Sequence, residues 1–237
     1  MFLKTMTAAT LLAASALANA GTFNLINNGG FETGNLSGWS TNSVGSPSGT
    51  CPNEGRNWNV ATGGTATGCS VVGNPVEGQY AAYVMNDGFA GYNYQLSQTF
   101  VVPVHVTNAS LAWSDSNVSN YNGDARKLSV DLYSGSTLLG NLYLFNVPTS
   151  DGSPAWDARN VDVTALLAAH GGEALTLRFS SIIPQTWTGP AGLGLDNVSL
   201  TGTGDDKVPP AGVPEPASLA LVGLGLMAGA LVRRRKA

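Results

Sequence analysis

The middle of this chain is a succession of short apolar segments, each closed by a turn-forming cluster, and that spacing constrains the fold more than any other feature. Tyr80–Met85, Gln95–Val102, Ser110–Ser114, Lys127–Ser134, Leu138–Phe145, Asn160–Val163, Leu175–Ser180 and Gly194–Leu200 are rich in Val, Leu, Tyr and Phe and are separated by Gly, Pro, Asn and Asp. Segments of this length and composition read as strands. Lys127-Leu-Ser-Val-Asp-Leu-Tyr alternates with period two, which fits a strand with one wet face. The step Ser134-Gly-Ser-Thr137 then suits a hairpin turn into Leu138. Only Val163–His170 carries a helical turn, with Asp162 ahead of it as a candidate N-cap. Many short antiparallel strands predict an all-β chain folded as a single β-sandwich.

Composition removes the main alternatives. Charged residues are 11% of the 237 and Gly numbers 30, which excludes the Ala/Glu/Lys/Leu-rich bundles and coiled coils. Residues 21–212 keep six Lys+Arg against 14 Asp+Glu, a balance of about −8 that argues against nucleic acid as a partner. No P-loop or dinucleotide fingerprint and no G-x-S-x-G is present.

The two ends read as addresses. Residues 1–20 have the parts of a secretory signal peptide: Lys4, the apolar run Ala8–Leu17 and the cleavage sequence Ala18-Asn19-Ala20. At the other end, Val213-Pro214-Glu215-Pro216 precedes the sixteen uncharged residues Ala217–Val232, and Arg233-Arg234-Arg235-Lys236 follows. As a helix the apolar run would span about 24 Å, a short single transmembrane helix, and the basic cluster would stop transfer on the cytoplasmic side. This tripartite tail, residues 213–237, resembles the PEP-CTERM sorting signal of exported Gram-negative proteins. The resemblance implies anchoring in the inner membrane, processing by an exosortase, and delivery to the cell surface or extracellular matrix; the alternative is a permanent C-terminal anchor that stays uncleaved. Residues 201–212, rich in Gly, Pro and polar groups, are expected to link the tail to a domain spanning 21–200.

A second resemblance lies within that domain. Asn27-Asn28-Gly29-Gly30-Phe31-Glu32, followed by Leu36-Ser37-Gly38-Trp39, is similar to the opening of galactose-binding-like jelly rolls, a superfamily that includes carbohydrate-binding modules. Leu193-Gly194-Leu195-Asp196-Asn197-Val198-Ser199-Leu200 is similar to its closing strand, and Gln95–Pro103 to a central one. The resemblance implies a jelly-roll β-sandwich in which opening and closing segments meet and hold a structural calcium. Glu32 and Asp196 match the carboxylate positions, backbone carbonyls completing a shell of six to eight oxygens. The alternative is that Glu32 caps backbone amides and Asp196 sits in a turn without metal.

Cys51 and Cys69, 18 positions apart in a Gly/Asn/Thr-rich stretch, read as a disulfide in an exported chain, worth about 3 kcal/mol if unstrained. Without nearby histidines they lack the ligands for zinc. Of the aromatics, Trp39 reads as core, and Trp113 and Tyr133 as core or sheet-face packing. Trp58, Tyr92, Tyr94, Tyr121, Trp156 and Trp187 lie in or beside loop-like segments. Exposed rings stack on sugar C–H faces, so these six are the candidate ligand-binding residues, with Asn93, Asn120, Asn122 and Asp124 as hydroxyl partners; the alternative for each ring is packing at the rim of the sandwich. His105 and His170 stand in no nucleophile motif, whereas Asp115 with Asp124 and Asp151 with Asp157 are carboxylate pairs of the kind glycosidases use. The expectation is an exported, non-catalytic protein that binds extracellular polysaccharide. The alternatives are a structural matrix or adhesion protein and, behind it, a glycoside-active enzyme.

Overall fold

The computed structural model describes residues 21–44, 57–62, 73–85, 91–151, 155–184, 189 and 191–205. The strands are β1 (Gly21–Asn24), β2 (Ser40–Val44), β3 (Asn59–Thr62), β4 (Tyr80–Met85), β5 (Tyr92–Val101), β6 (His105–Asn120), β7 (Lys127–Ser134), β8 (Thr137–Asn146), β9 (Ser150–Asp151), β10 (Trp156–Asp162), β11 (Ala174–Ile183) and β12 (Ala191–Asp205). One short helix, α1 (Thr164–Ala168), lies between β10 and β11.

The strands form two sheets, as the spacing predicts. One runs β10-β6-β12-β4-β3, with β1 also beside β12 and β9 beside β6; the other runs β2-β5-β11-β7-β8. Every pairing is antiparallel. Alternation sets which side chains meet between the sheets. Leu128, Val130 and Leu132 of β7 and Leu175, Leu177 and Phe179 of β11 are buried facing Leu111 and Trp113 of β6 and Leu193 and Leu195 of β12. Phe179 packs its ring 6.2 Å from Trp39 and 5.9 Å from Trp113. Trp39 and Trp113 are therefore core. Tyr133 instead lies on the outer face of the five-stranded sheet.

Several boundaries depart from expectation: β10 starts four residues early at Trp156, β5 three early at Tyr92, and β11 runs three past Ser180 to Ile183. β6 runs His105–Asn120, far past Ser110–Ser114, because β12 pairs with it along almost its whole length. β12 continues through Thr201–Asp205, residues expected in the linker, because β1 and β6 both bond that stretch. The helix cap is Val163, not Asp162; the Asp162 carboxylate instead accepts from the Thr164 amide at 2.8 Å. Gly21 pairs with Gly204, so the start of β1 and the exit toward the tail stand side by side.

Candidate functional site

The opening and closing segments do meet. A bulge between Asp196 and Ser199 interrupts β12, with Asn197 in the left-handed region at φ 52°. On the same side of β12, β4 pairs before the bulge and β1 after it. The opening loop docks into that gap, where the Val198 amide donates to the Gly29 carbonyl at 2.9 Å. A Cβ on Gly29 would lie 1.8 Å from the Val198 carbonyl oxygen, so only glycine allows the approach. The loop is held internally by Asn28, whose Nδ2 donates to the carbonyls of Asn35 and Ser37, and whose carbonyl accepts from Trp39 Nε1.

Glu32 and Asp196 both address the segment 76–80. The Glu32 carboxylate accepts from the Gln79 and Tyr80 amides at 3.0 Å. Asp196 Oδ2 accepts from the Val76 amide at 2.8 Å and the Glu77 amide at 3.5 Å, and Oδ1 from the Asn197 amide at 2.7 Å. A Cβ on Gly78 would fall 2.2 Å from the Glu32 carboxyl carbon, so the segment wraps that carboxylate closely. This donor set fits amide capping. A calcium shell needs six to eight oxygens, and here the positive ends of backbone N–H groups already point at each carboxylate. Among the described residues no group of three or more His, Cys, Asp or Glu is placed to hold a metal. Asp196 is fully buried, which pushes its carboxyl up to about 6 against the pull of those amides.

The expected aromatic platform divides. Trp58 (2% exposed), Tyr94 (2%) and Tyr121 (3%) are interior rings and offer no face to a sugar from solvent. Trp58 donates its indole N–H to the Tyr94 carbonyl at 3.1 Å, and Tyr94 points inward from β5 beside Leu96. Tyr121 donates its hydroxyl to the Val147 carbonyl and stacks under Arg126, 4.7 Å from its ring. Their loop-like sequence surroundings hid strand register and interior hydrogen bonds. Trp156 is half-buried at the start of β10, its indole N–H donating to the Asn74 carbonyl at 2.6 Å. Tyr92 opens β5, its side chain outside the described residues. Trp187, Cys51, Cys69, the signal segment, the apolar run of the tail, Val213, Pro214, Glu215, Pro216 and the basic cluster Arg233, Arg234, Arg235 and Lys236 also lie outside them. No helix among the described residues is long and apolar enough to cross a membrane.

One carboxylate of each pair, Asp115 and Asp157, is held by Arg159. Asp115 is 2% exposed and accepts from Arg159 at 2.9 and 3.1 Å and from Trp113 Nε1 at 2.9 Å. Asp157 is on the same guanidinium at 2.8 Å. Arg159 lies over Tyr143 and Phe145, and burial near Asp115 raises the Tyr143 phenol above its ordinary range. His170 bonds Glu173 at 3.0 Å on the surface.

What sequence reasoning missed is the outer face of the five-stranded sheet. Ser40, Ser97, Arg178, Asp131 and Asn141 are cross-strand partners in one row over β2, β5, β11, β7 and β8. At ~4.8 Å per strand the row is about 19 Å long, and every side chain in it is polar. The next row holds Asn42, Gln95, Ser180, Ser129 and Leu144. Asn141 Nδ2 donates to Asp131 Oδ1 at 2.7 Å and to Ser129 Oγ at 2.9 Å, and Ser129 Oγ donates to Asp131 Oδ2 at 2.8 Å. Arg178 stands 4.2 Å over the Tyr133 ring. The sequence signal was the wet face of Lys127–Tyr133, but the partners from β2, β5 and β11 are remote in the chain.

Comparison with known proteins gives two kinds of likeness. Residues 212–236 match the PEP-CTERM protein-sorting motif, so the chain carries a sorting signal that implies export. No curated protein sequence matches the chain significantly. Among solved structures, a Stig cyclase, Fisc, from Fischerella sp. TAU superposes with a TM-score of 0.51 at 19% identity over 79% of this chain and 100% of that one. The module TmCBM61 in complex with β-1,4-galactotriose gives 0.47 at 16% identity, over 76% and 97%. The K1 adhesin domain of Lys-gingipain from Porphyromonas gingivalis W83 gives 0.43 at 15%, over 76% and 97%. The fold is a two-sheet antiparallel β-sandwich, and identities this low speak to the fold alone.

Proposed function

We propose that this chain is an exported, non-catalytic polysaccharide-binding module, delivered to the cell surface or matrix by exosortase processing of its tail. One observation carries the binding reading: a row of five polar side chains crosses all five strands of one sheet, from Ser40 to Asn141. Hydroxyl, amide, carboxylate and guanidinium groups at sheet spacing suit an extended chain of sugar hydroxyls, and the Tyr133 ring adds an apolar surface beside them. The burial of Asp115 under Arg159 supports a non-catalytic role, since an ion-paired carboxylate is a poor general acid.

Affinity electrophoresis of the full chain in detergent against neutral and acidic polysaccharides tests the binding. Retardation by at least one polymer, reduced when Gln95 and Asn141 are both changed to Ala, is expected. Migration unchanged in every gel would put the structural matrix role first. Deleting residues 213–237 should release the domain from the cell envelope; unchanged retention would overturn the sorting reading.

A further inference from the structure

We infer that the polymer this face takes is acidic, a carboxylate on the sugar chain seating on the guanidinium fork of Arg178. This rests on the polysaccharide reading above and names its substrate class. Arg178 sits at the middle of the polar row, between Ser97 and Asp131. It is directly opposite Asp131, the position at which opposite charges in adjacent strands normally pair. Yet the two do not pair. Asp131, itself only 8% exposed, has both carboxylate oxygens engaged by Ser129 and Asn141, while Arg178 leans the other way onto Tyr133.

The guanidinium therefore makes no hydrogen bond or ion pair with any described residue, and its Nε is buried without an acceptor. An arginine carries five N–H donors in a fixed plane and no acceptor, so unused donors on a sheet face call for an acceptor from outside. A carboxylate meets two of them at once, which a neutral hydroxyl does not. Stacking on Tyr133 holds the plane in place before any ligand arrives. Lys127, two rows along on the same face, adds a second positive charge, and both oxygens of Asp131 are already hydrogen-bonded by Ser129 and Asn141. The domain as a whole is negative and repels an acidic polymer at long range, so recognition has to come from this local fork.

The full chain in detergent is titrated by affinity electrophoresis against polygalacturonate, its fully methyl-esterified form, neutral galactan and dextran sulfate. Polygalacturonate should bind at least tenfold more tightly than its ester and galactan. Arg178→Gln should abolish that preference, and Arg178→Lys, which keeps the charge but not the fork, should recover only part of it. Thermal melting of each variant shows that it is folded. Equal affinity for the acid, its ester and galactan, or an unchanged preference in Arg178→Gln, would overturn the inference and leave the polysaccharide reading standing. Dextran sulfate bound as tightly as polygalacturonate would overturn it in favour of unspecific charge attraction. No binding to any polymer would bring down both readings.

Discussion

Each sheet of the sandwich sets an arginine against an aspartate, with opposite results. On the seven-stranded sheet, Arg159 and Asp115 are diagonal neighbours that point between the sheets, and the guanidinium closes on the carboxylate with two hydrogen bonds under Tyr143 and Phe145. On the five-stranded sheet, Arg178 and Asp131 stand directly across from one another on the outer face and remain apart. The inward pair has little water, so each charge needs the other. On the outer face neighbouring Ser129 and Asn141 satisfy Asp131 and Tyr133 stacks on Arg178, which leaves the guanidinium without an acid partner. The same two residue types are consumed by the fold in one place and presented by it in the other.

Removing the arginines one at a time is the sharpest way to break that contrast. Arg159→Ala should cost about 3–5 kcal/mol, because it leaves Asp115 buried with Trp113 as its remaining side-chain donor. Arg178→Ala should cost less, about 0.5–1 kcal/mol, the worth of its stacking on Tyr133. Urea melts of both variants decide it, and equal costs would mean that Arg178 is structural.

Asp196 gives an intermediate effect with an unusual sign. Its folded pKa, about 6, lies above the ordinary 3.8, so the folded state holds the proton more tightly than the unfolded chain. Its contribution to stability is present below about pH 4 and is lost as pH rises through 6, by roughly 3 kcal/mol at most. The stability of the native protein relative to Asp196→Asn should therefore increase on acidification from pH 7 to 4. A difference that instead falls would mean the amide caps, or a cation, hold the carboxylate ionised. The smallest expected effect is that of calcium. With Glu32 and Asp196 committed to backbone amides, millimolar calcium or a chelator should leave the melting temperature unchanged, and a rise of several degrees with calcium would show that the carboxylates turn to a metal.

Much of the strand pattern is legible in the amino-acid sequence. Tyr80–Met85 and Lys127–Ser134 are strands with those bounds, and the turn at Ser134–Thr137 closes the hairpin. Extension fails where polar residues are buried. Asp115, Ser116, Asn117 and Ser119 carry β6 onward although Asp and Asn are poor strand formers, because β12 and β10 supply the hydrogen bonds on either side. Tyr94 and Tyr121 read as loop aromatics for a related reason: strand register for one and two interior hydrogen bonds of the hydroxyl for the other, neither visible locally, turn them inward.

By itself the sequence determined the all-β class, the alternation that gives β7 a wet face, the glycines that let the opening loop meet β12, and the sorting motif of the tail. These are local properties, written in period, turn chemistry and contiguous motif. Tertiary structure alone decided which polar residues stand in one row. Ser97, Asp131, Asn141 and Arg178 come from four strands, and only the register of three antiparallel ladders brings them together. A shift of one residue in any ladder would turn that strand's polar set into the core, so the burial of Leu128, Val130, Leu177 and Phe179 is what holds the row on the outside.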